Sequence, residues 1–327
     1  MNFRLSVKTV LIFATTAMVV ASCAKDVTVD ADAAERRVLA AYITTVYKDT
    51  IKPLSSGAYL ITNKKGTGKE VTDTSKIFVR YSTLDLKNTY EQTNVEEIAK
   101  NVGGFSYASY YGPTLFEMGN YSMMAGMEDA FINLKEGSDV RIIIPSWASK
   151  LNYEGAENSL STSKVYDVEI IKVINDYSQY EMDTLQNYSN RYYDGLDSLS
   201  AGFYFKSIIE GVGDSIVVGS NISYNYVGRL LNGFVFDTNI EDTARKYKIY
   251  SSDKTYSPVN FDVTEVGASG DYETATVVDG FATALLKMKY GGKAVTFFGS
   301  EWGYGTTSQS FGKRQQLCFY IEVLEDE

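Results

Sequence analysis

One stretch, residues 222–239, contains side chains that could bind an apolar group and orient it. Apolar and aromatic residues alternate up to Tyr226, and an Asn-Gly pair then precedes Phe236 and Asp237. Alternation on both sides of Asn-Gly is the signal of a β-hairpin. The hairpin would place Tyr226 near Phe236 and Asp237, so that two rings and a carboxylate converge on one concave face.

Each of these residues also has an ordinary structural role. Tyr226 and Phe236, like Phe319 in the last apolar strand, are taken singly more often core residues. Asp237 could equally cap a turn. Only their joint order favours a pocket.

The composition excludes several other kinds of chemistry. The 327 residues include no histidine, which removes Ser-His-Asp and Cys-His catalysis and His-ligated metal sites. The net charge of −10 argues against nucleic acid as a partner, because phosphate contacts need clustered Lys and Arg. Residues 66–69, Gly-Thr-Gly-Lys, lack the full phosphate-loop pattern and favour a hairpin turn. No metal and no cofactor is expected.

The hairpin resembles the Tyr-x-Gly-x-Leu-x-Asp-Gly-x-x-Phe-Asp signature of FKBP-type peptidyl-prolyl isomerases. The matching residues are Tyr226-Val227-Gly228, Leu230, Asn232-Gly233 and Phe236-Asp237. Later segments are similar to further motifs of that family: Val277-Val278-Asp279-Gly280-Phe281, the loop with Trp302 and Tyr304, and the closing strand with Phe319. Phe281 stands where the family commonly has tryptophan. The resemblance covers about residues 200–327.

The resemblance implies non-covalent isomerisation of X-Pro bonds in proline-containing polypeptides. The residues implied to carry it are Tyr226, Phe236, Asp237, Val278, Phe281, Tyr304 and Phe319. Those implied to contact the substrate are Val277, Trp302 and Phe261, the best candidate for an aromatic on the bulge strand. Val278 would offer its backbone N–H, Tyr304 its hydroxyl, and Asp237 would orient polar contacts.

The N-terminal segment has the pattern of a targeting signal. Arg4 and Lys8 precede an apolar run at 10–20 that is too short to span a bilayer. Residues 20–23, Val-Ala-Ser-Cys, resemble a bacterial lipobox. We therefore predict a signal peptide at 1–22, a lipidated Cys23 and a membrane anchor, with the outer membrane as destination.

Two similar four-residue segments indicate an internal duplication. Residues 56–59, Ser-Gly-Ala-Tyr, and 201–204, Ala-Gly-Phe-Tyr, each follow a segment of helical periodicity. Tyr81 and Tyr226 are separated by 145 residues, as are these two segments. The spacing favours two copies of one unit of helix and sheet.

The predicted fold is α+β, with two FKBP-like domains. We assign residues 23–33 to a tether, 34–175 to the first domain and 176–327 to the second. Each would be an antiparallel twisted sheet wrapped on one short amphipathic helix and preceded by an N-terminal helix. Those N-terminal helices are predicted at 34–48 and 181–196, with Glu181 on a solvated face. The short helices are predicted to reach Gly137 and Gly291.

The first copy departs from the family pattern where chemistry would occur. Tyr90-Glu91 is assigned to the Phe-Asp position, Met127 to the floor aromatic and Ser149 to the loop tyrosine. These differences predict a retained fold with an inactive site. A binding module or chaperone without turnover is the main alternative function. A structural surface lipoprotein is another, favoured by the long segment at 238–276.

Overall fold

The computed structural model describes residues 31–119, 121, 123–153, 155–263 and 277–325. The predicted signal peptide and Cys23 lie outside the described residues, as do 264–276 of the long segment. Among the residues described, none of the helices is long and apolar enough to cross a bilayer.

Helices in the described part of the chain are short apart from two. They are α1 (Ala31–Tyr47), α2 (Glu96–Asn101), α3 (Ala125–Phe131), α4 (Tyr177–Tyr192), α5 (Glu241–Lys246) and α6 (Asp279–Leu285). Helix α1 starts inside the predicted tether and belongs to a compact unit that ends at Thr50. Both sheets belong to the second unit, Ile51–Glu327.

Several helix ends differ from the predicted ones for local reasons. Helix α4 starts before Glu181 because Asp176 caps it, accepting a hydrogen bond from the Gln179 N–H at 3.0 Å. Helix α6 ends at Leu285 because the N–H groups of Lys287 and Met288 bond three residues back rather than four. Helix α3 ends before Asn133, whose φ is 64°.

Within the ranges given above, twelve strands form two antiparallel sheets of six strands each. The first sheet contains β1 (Tyr59–Lys64), β2 (Lys76–Leu84), β3 (Tyr90–Thr93), β4 (Thr114–Glu117), β5 (Asp139–Ile144) and β6 (Lys164–Ile174). The second contains β7 (Phe203–Ile209), β8 (Asn221–Leu230), β9 (Val235–Thr238), β10 (Val259–Asp262), β11 (Lys293–Phe298) and β12 (Leu317–Val323). The fold is therefore α+β, with a repeated antiparallel unit.

The two sheets share one strand order. The first runs β1-β5-β6-β2 and the second β7-β11-β12-β8, and in each the last strand pairs with two short strands. Ile77 pairs with Phe116 in the first sheet, and Ile222 with Phe261 in the second. Both members of that pair are separated from their counterparts by 145 residues, the spacing of the sequence repeat.

Helices α3 and α6 each pack an apolar face on one sheet. Met127 and Phe131 of α3 are buried against the first sheet, and Phe281 and Leu285 of α6 against the second. Leu185 of α4 packs in a separate cluster with residues of the second sheet. Burial of one apolar face explains why these periodic segments are helical.

Glu181 of α4 does not lie on a solvated face, so that prediction was wrong. Its side chain is 5% exposed and accepts hydrogen bonds from the Ser300 N–H at 2.8 Å and Gln316 Nε2 at 2.9 Å. Both donors bond to Oε1, so the buried carboxylate is hydrogen-bonded within the protein. Glu181 therefore fixes both ends of the loop between β11 and β12.

Tyr110, from the segment before β4, contacts the second sheet at the tip of its β8–β9 hairpin. Its ring lies 5.2 Å from that of Phe234, and its hydroxyl accepts a hydrogen bond from Asn232 Nδ2 at 3.1 Å. The tip of the hairpin is thus covered by the first half of the chain.

Candidate functional site

The β8–β9 hairpin positions the predicted residues through its turn and its far end. Gly233 has a φ of 92°, which suits glycine and closes the turn after Asn232. At the far end, Asn239 accepts from the Tyr226 N–H at 2.8 Å and donates from Nδ2 to the Tyr224 carbonyl at 3.1 Å. The register therefore places Tyr226 close to Asp237.

A cavity of about 330 Å³ opens beside this hairpin, and we call it the C-terminal cavity. Its lining residues come from β8, β9, β10, β12, the start of α6 and the loop after β11. They are Tyr224, Tyr226, Phe236, Asp237, Val259, Asn260, Phe261, Val277, Val278, Phe281, Tyr304 and Phe319. The volume is in the lower part of the range of small-ligand sites.

Aromatic rings in edge-to-face contact form the floor and walls of the C-terminal cavity. Phe281 lies in the centre, with its ring 5.1 Å from Phe319 and 6.1 Å from Tyr226 at steep angles. Phe319 in turn lies 5.8 Å from Phe236. Such pairs stabilise one another beyond simple burial. The rings therefore hold a rigid apolar shape.

The polar groups of the cavity centre on Asp237. The Tyr226 hydroxyl donates to Asp237 Oδ2 at 2.6 Å, and Lys254 donates to Oδ1. The Thr238 N–H also donates to Oδ1, at 2.9 Å. Asp237 is thus a half-exposed carboxylate that fixes the direction of the Tyr226 hydroxyl.

The tyrosine hydroxyls of the cavity remain protonated at physiological pH. Burial, then the hydrogen bond and charge of Asp237, raise the pKa of Tyr226 far above its usual value. Burial and Asp237 likewise raise the pKa of Tyr224 to about 12 and increase that of Tyr304. These hydroxyls can therefore donate hydrogen bonds but do not act as bases.

Two donors at the cavity are available to a ligand. Val278 precedes α6 in extended conformation, and its N–H has no acceptor among the residues described. Tyr304 packs its ring 6.1 Å from Phe311, and no described residue accepts from its hydroxyl. A carbonyl oxygen entering the cavity could accept from either group.

The structure brings together all the predicted site residues of the second domain except Trp302. The Trp302 ring lies 5.2 Å from that of Phe203, and its Nε1 donates to the Ala201 carbonyl at 2.9 Å, outside the cavity lining. Sequence reasoning missed Tyr224, Val259 and Asn260. Tyr224 could have been found, because residues two apart on a strand share one face.

A second cavity, of about 740 Å³, lies on the first sheet, and we call it the N-terminal cavity. Tyr81, Phe116, Met127 and Tyr166 occupy the register positions of Tyr226, Phe261, Phe281 and Phe319. Thr306, Ser308 and Lys313 of the second half also line it. Methionine and tyrosine thus replace phenylalanine on its floor and wall.

Two assignments in the first copy were wrong by one residue. Strand β2 pairs Thr83 with Gln92, as β8 pairs Gly228 with Asp237, so Glu91-Gln92 rather than Tyr90-Glu91 occupies the Phe-Asp position. The equivalent 3₁₀ turns at 146–148 and 300–302 align Ser149 with Gly303 rather than with Tyr304. Ser149 is buried and donates to the Ser146 carbonyl at 2.6 Å.

The arrangement offers apolar enclosure with a few fixed donors. Within the described ranges, His, Cys, Asp and Glu form no group of three that could hold a metal ion. Cys318 is buried, with Arg229 Nε 3.5 Å and the Tyr188 hydroxyl 3.7 Å from its sulfur, on the face of the sheet that α4 covers. The chemistry available at the cavity is therefore binding and orientation of an apolar group next to an amide.

Comparison with known proteins identifies a family match for the part of the chain that forms the C-terminal cavity. Residues 213–324 match the model of the FKBP-type peptidyl-prolyl cis-trans isomerase family. A probable FKBP-type peptidyl-prolyl cis-trans isomerase of Haemophilus influenzae is 28% identical over 132 residues, which is 40% of this chain and 45% of that protein. The isomerase Mip of Coxiella burnetii is 25% identical over 138 residues, 42% of this chain and 50% of that protein.

These alignments span about half the length of the curated relatives. The crystal structure of the three FKBP domains of a wheat protein superimposes with a TM-score of 0.29 at 16% identity, covering 84% of this chain and 98% of that chain. The family match includes the hairpin, helix α6 and the closing strand that build the C-terminal cavity. Residues 213–324 of the chain thus form a domain of the FKBP-type peptidyl-prolyl cis-trans isomerase family.

Proposed function

We propose that the protein is a peptidyl-prolyl cis-trans isomerase acting on proline-containing polypeptides in the C-terminal cavity. The observation that carries the proposal is the enclosure of one small cavity by Tyr226, Phe236, Phe281 and Phe319, with donors at its edge. Such a cavity has the shape and polarity for a proline ring followed by a peptide carbonyl.

The reaction needs no nucleophile. Rotation about an X-Pro bond is slow because it breaks amide resonance, over a barrier of roughly 18–20 kcal/mol. The planar amide has charge separation that water stabilises, whereas the twisted amide has less. Aromatic walls that exclude water therefore favour the twisted state relative to the planar one.

The donors complete this mechanism by fixing the chain on either side of the bond. The Val278 N–H can bind the carbonyl after proline, and the Tyr304 hydroxyl a carbonyl at the opposite edge. Asp237 holds the Tyr226 hydroxyl at 2.6 Å and keeps that side of the cavity polar. The carbonyl of the residue before proline can then rotate relative to the held proline ring.

A proline-limited refolding assay with the full chain tests the proposal. The wild-type chain should accelerate the slow refolding phase in proportion to its concentration. Tyr304→Phe keeps the ring and removes one hydroxyl, so kcat/KM should fall about two- to twelvefold, the equivalent of about 0.5–1.5 kcal/mol. A slow phase that is unchanged by excess wild-type protein would show that the chain is not an isomerase.

A binding function without turnover is a second candidate, favoured by the N-terminal cavity. Met123, Met124 and Met127 line it, and methionine adapts to apolar side chains of different shapes. If the chain mainly holds unfolded polypeptides, Met124→Gln, at a partly buried position of the lining, should reduce its suppression of substrate aggregation. The same variant should leave isomerase activity unchanged.

We further propose that the protein works in the cell envelope of a bacterium, attached by lipid at Cys23. The basic, apolar and lipobox-like segments at residues 1–23 support this proposal. Stable attachment needs more than one acyl chain. Its substrates would then be extracytoplasmic polypeptides.

A further inference from the structure

One loop of the second half contacts both cavities. Residues 299–316, which we call the cavity loop, connect β11 to β12. Tyr304 of this loop lines the C-terminal cavity, whereas Thr306, Ser308 and Lys313 line the N-terminal cavity. The position of Tyr304 therefore depends on what holds the rest of the loop.

A carboxylate of the first sheet holds the far part of the cavity loop. Glu117, the last residue of β4, is 5% exposed. Lys313 Nζ donates to its Oε2, and Arg314 Nε donates to its Oε1 at 2.9 Å. Lys76, on the neighbouring strand of the same sheet, lies 3.7 Å from Oε1. The loop is thus attached to the first sheet by paired charges.

The burial of Glu117 restricts the conformations that the cavity loop can adopt. Burial alone would raise the pKa of Glu117, but hydrogen bonds and charges from Lys313 and Arg314 outweigh it and hold that pKa below its usual value. A buried carboxylate without its cations would be strongly unfavourable. The first sheet therefore favours the loop conformation that keeps both cations at Glu117.

The contact is transmitted from Arg314 to Tyr304 through the backbone. The Arg314 N–H donates to the Gly305 carbonyl at 2.8 Å, next to Tyr304 in sequence. The Arg314 carbonyl accepts a hydrogen bond from the Tyr177 hydroxyl at 2.6 Å. The φ angle of Arg314 is 53°, a left-handed conformation that is costly for arginine. Glu117 and Tyr177 together hold this residue in place.

We propose that Glu117 is a positioning residue of the isomerase site, supplied by the domain whose own pocket has diverged. The inference rests on the proposed function, since it assigns a role to Tyr304 in that site. The first domain then acts as a structural part of the second: it fixes the loop that carries the Tyr304 hydroxyl to the cavity edge.

The test compares Glu117→Gln with Glu301→Gln in the full chain. Glu301 is a matched control, because it is 76% exposed and contacts the same Arg314, at 3.4 Å. For Glu117→Gln we expect kcat/KM in the refolding assay to fall about three- to tenfold through a less ordered Tyr304. Glu301→Gln should match the wild type.

The order of the cavity loop can be measured directly by limited trypsin cleavage after Lys313 and Arg314, mapped by mass spectrometry. In Glu117→Gln this cleavage should be at least about fivefold faster than in the wild type, because local opening exposes the loop. Should Glu117→Gln fail to fold, Arg314→Gln breaks the same contact from the loop side. Because that variant removes one trypsin site, its faster cleavage is measured after Lys313, together with the same loss of kcat/KM.

The outcomes separate this inference from the proposed function. An inactive wild type rejects the isomerase, while faster cleavage in Glu117→Gln still shows the loop attachment. An active wild type whose activity and cleavage are unchanged in folded Glu117→Gln and Arg314→Gln overturns the positioning role. Equal losses in Glu301→Gln would overturn it too, since a general charge effect would then explain them.

Discussion

Substitution of Gly228 by alanine tests whether the aromatic walls must stay in place. Gly228 lies in β8 directly behind two of these rings. A Cβ atom there would lie 2.8 Å from Cε2 and Cζ of Phe236 and 2.9 Å from Cε1 of Phe319. Ordinary contacts of a Cβ begin near 3.4 Å, so both rings would have to move into the cavity.

The size of the effect follows from these distances. Overpacking of this kind costs about 1–3 kcal/mol. Loss of glycine freedom in the unfolded chain offsets about 0.4–1 kcal/mol of it. The net destabilisation of about 1–2 kcal/mol should lower Tm by roughly 3–6 °C. A ring shift of about 0.6 Å should also reduce kcat/KM about tenfold, because catalysis is sensitive to such displacements.

The assay pairs calorimetry with proline-limited refolding, both on the full chain. Gly104→Ala is the matched control, since the nearest atom to its added Cβ, Cγ2 of Val102, is 3.9 Å away. The control should keep wild-type activity. If Gly228→Ala loses neither stability nor activity, the rings have room to move, and a rigid aromatic wall is not what the site requires.

Three further predictions concern charge and anchoring. Asp237→Leu should leave Tm nearly unchanged, because a half-exposed acid contributes little to stability. The variant should lower kcat/KM, because the Tyr226 hydroxyl loses the group that fixes its direction. A large loss of Tm without loss of specific activity would contradict this prediction. The pKa of Glu117 is lower in the folded protein than its usual value of 4.5. Ionised Glu117 therefore stabilises the fold at pH values above 4.5, and this contribution is lost as the pH falls through the lower pKa of the folded state. Urea midpoints between about pH 6 and 3 should therefore fall less steeply in Glu117→Gln than in the wild type. Cys23→Ala should shift the protein from carbonate-washed membranes to the soluble fraction, and full retention in the membranes would exclude lipid attachment.

The composition of the C-terminal cavity could be predicted because one hairpin motif fixes its register. Tyr226, Phe236 and Asp237 follow from the Asn-Gly turn alone. Phe261 does not follow from that turn, but its counterpart in the first copy, Phe116, lies 145 residues earlier, which is the spacing of the repeat. The repeat therefore contained the register that the long segment after Asp237 obscured.

The errors arose where tertiary contacts or bulges decide the outcome. Asn88 and Gly233 both have positive φ and close equivalent turns, so counting from the turn gives Glu91-Gln92 for the first copy. Glu181 was predicted on a solvated face, and no role was predicted for Glu117. Their burial depends on cations and amides distant in sequence, which no local periodicity reveals.

The burial of Glu117 also bears on how the two sheets unfold. Whichever sheet opens first leaves charges of the other without their partners, either the buried carboxylate or, on the cavity loop, the partly buried Lys313 and Arg314. That penalty discourages a state in which only one sheet is folded. Residues 51–327 should therefore melt in one calorimetric transition, with a van't Hoff enthalpy close to the calorimetric one, rather than as two separate domains.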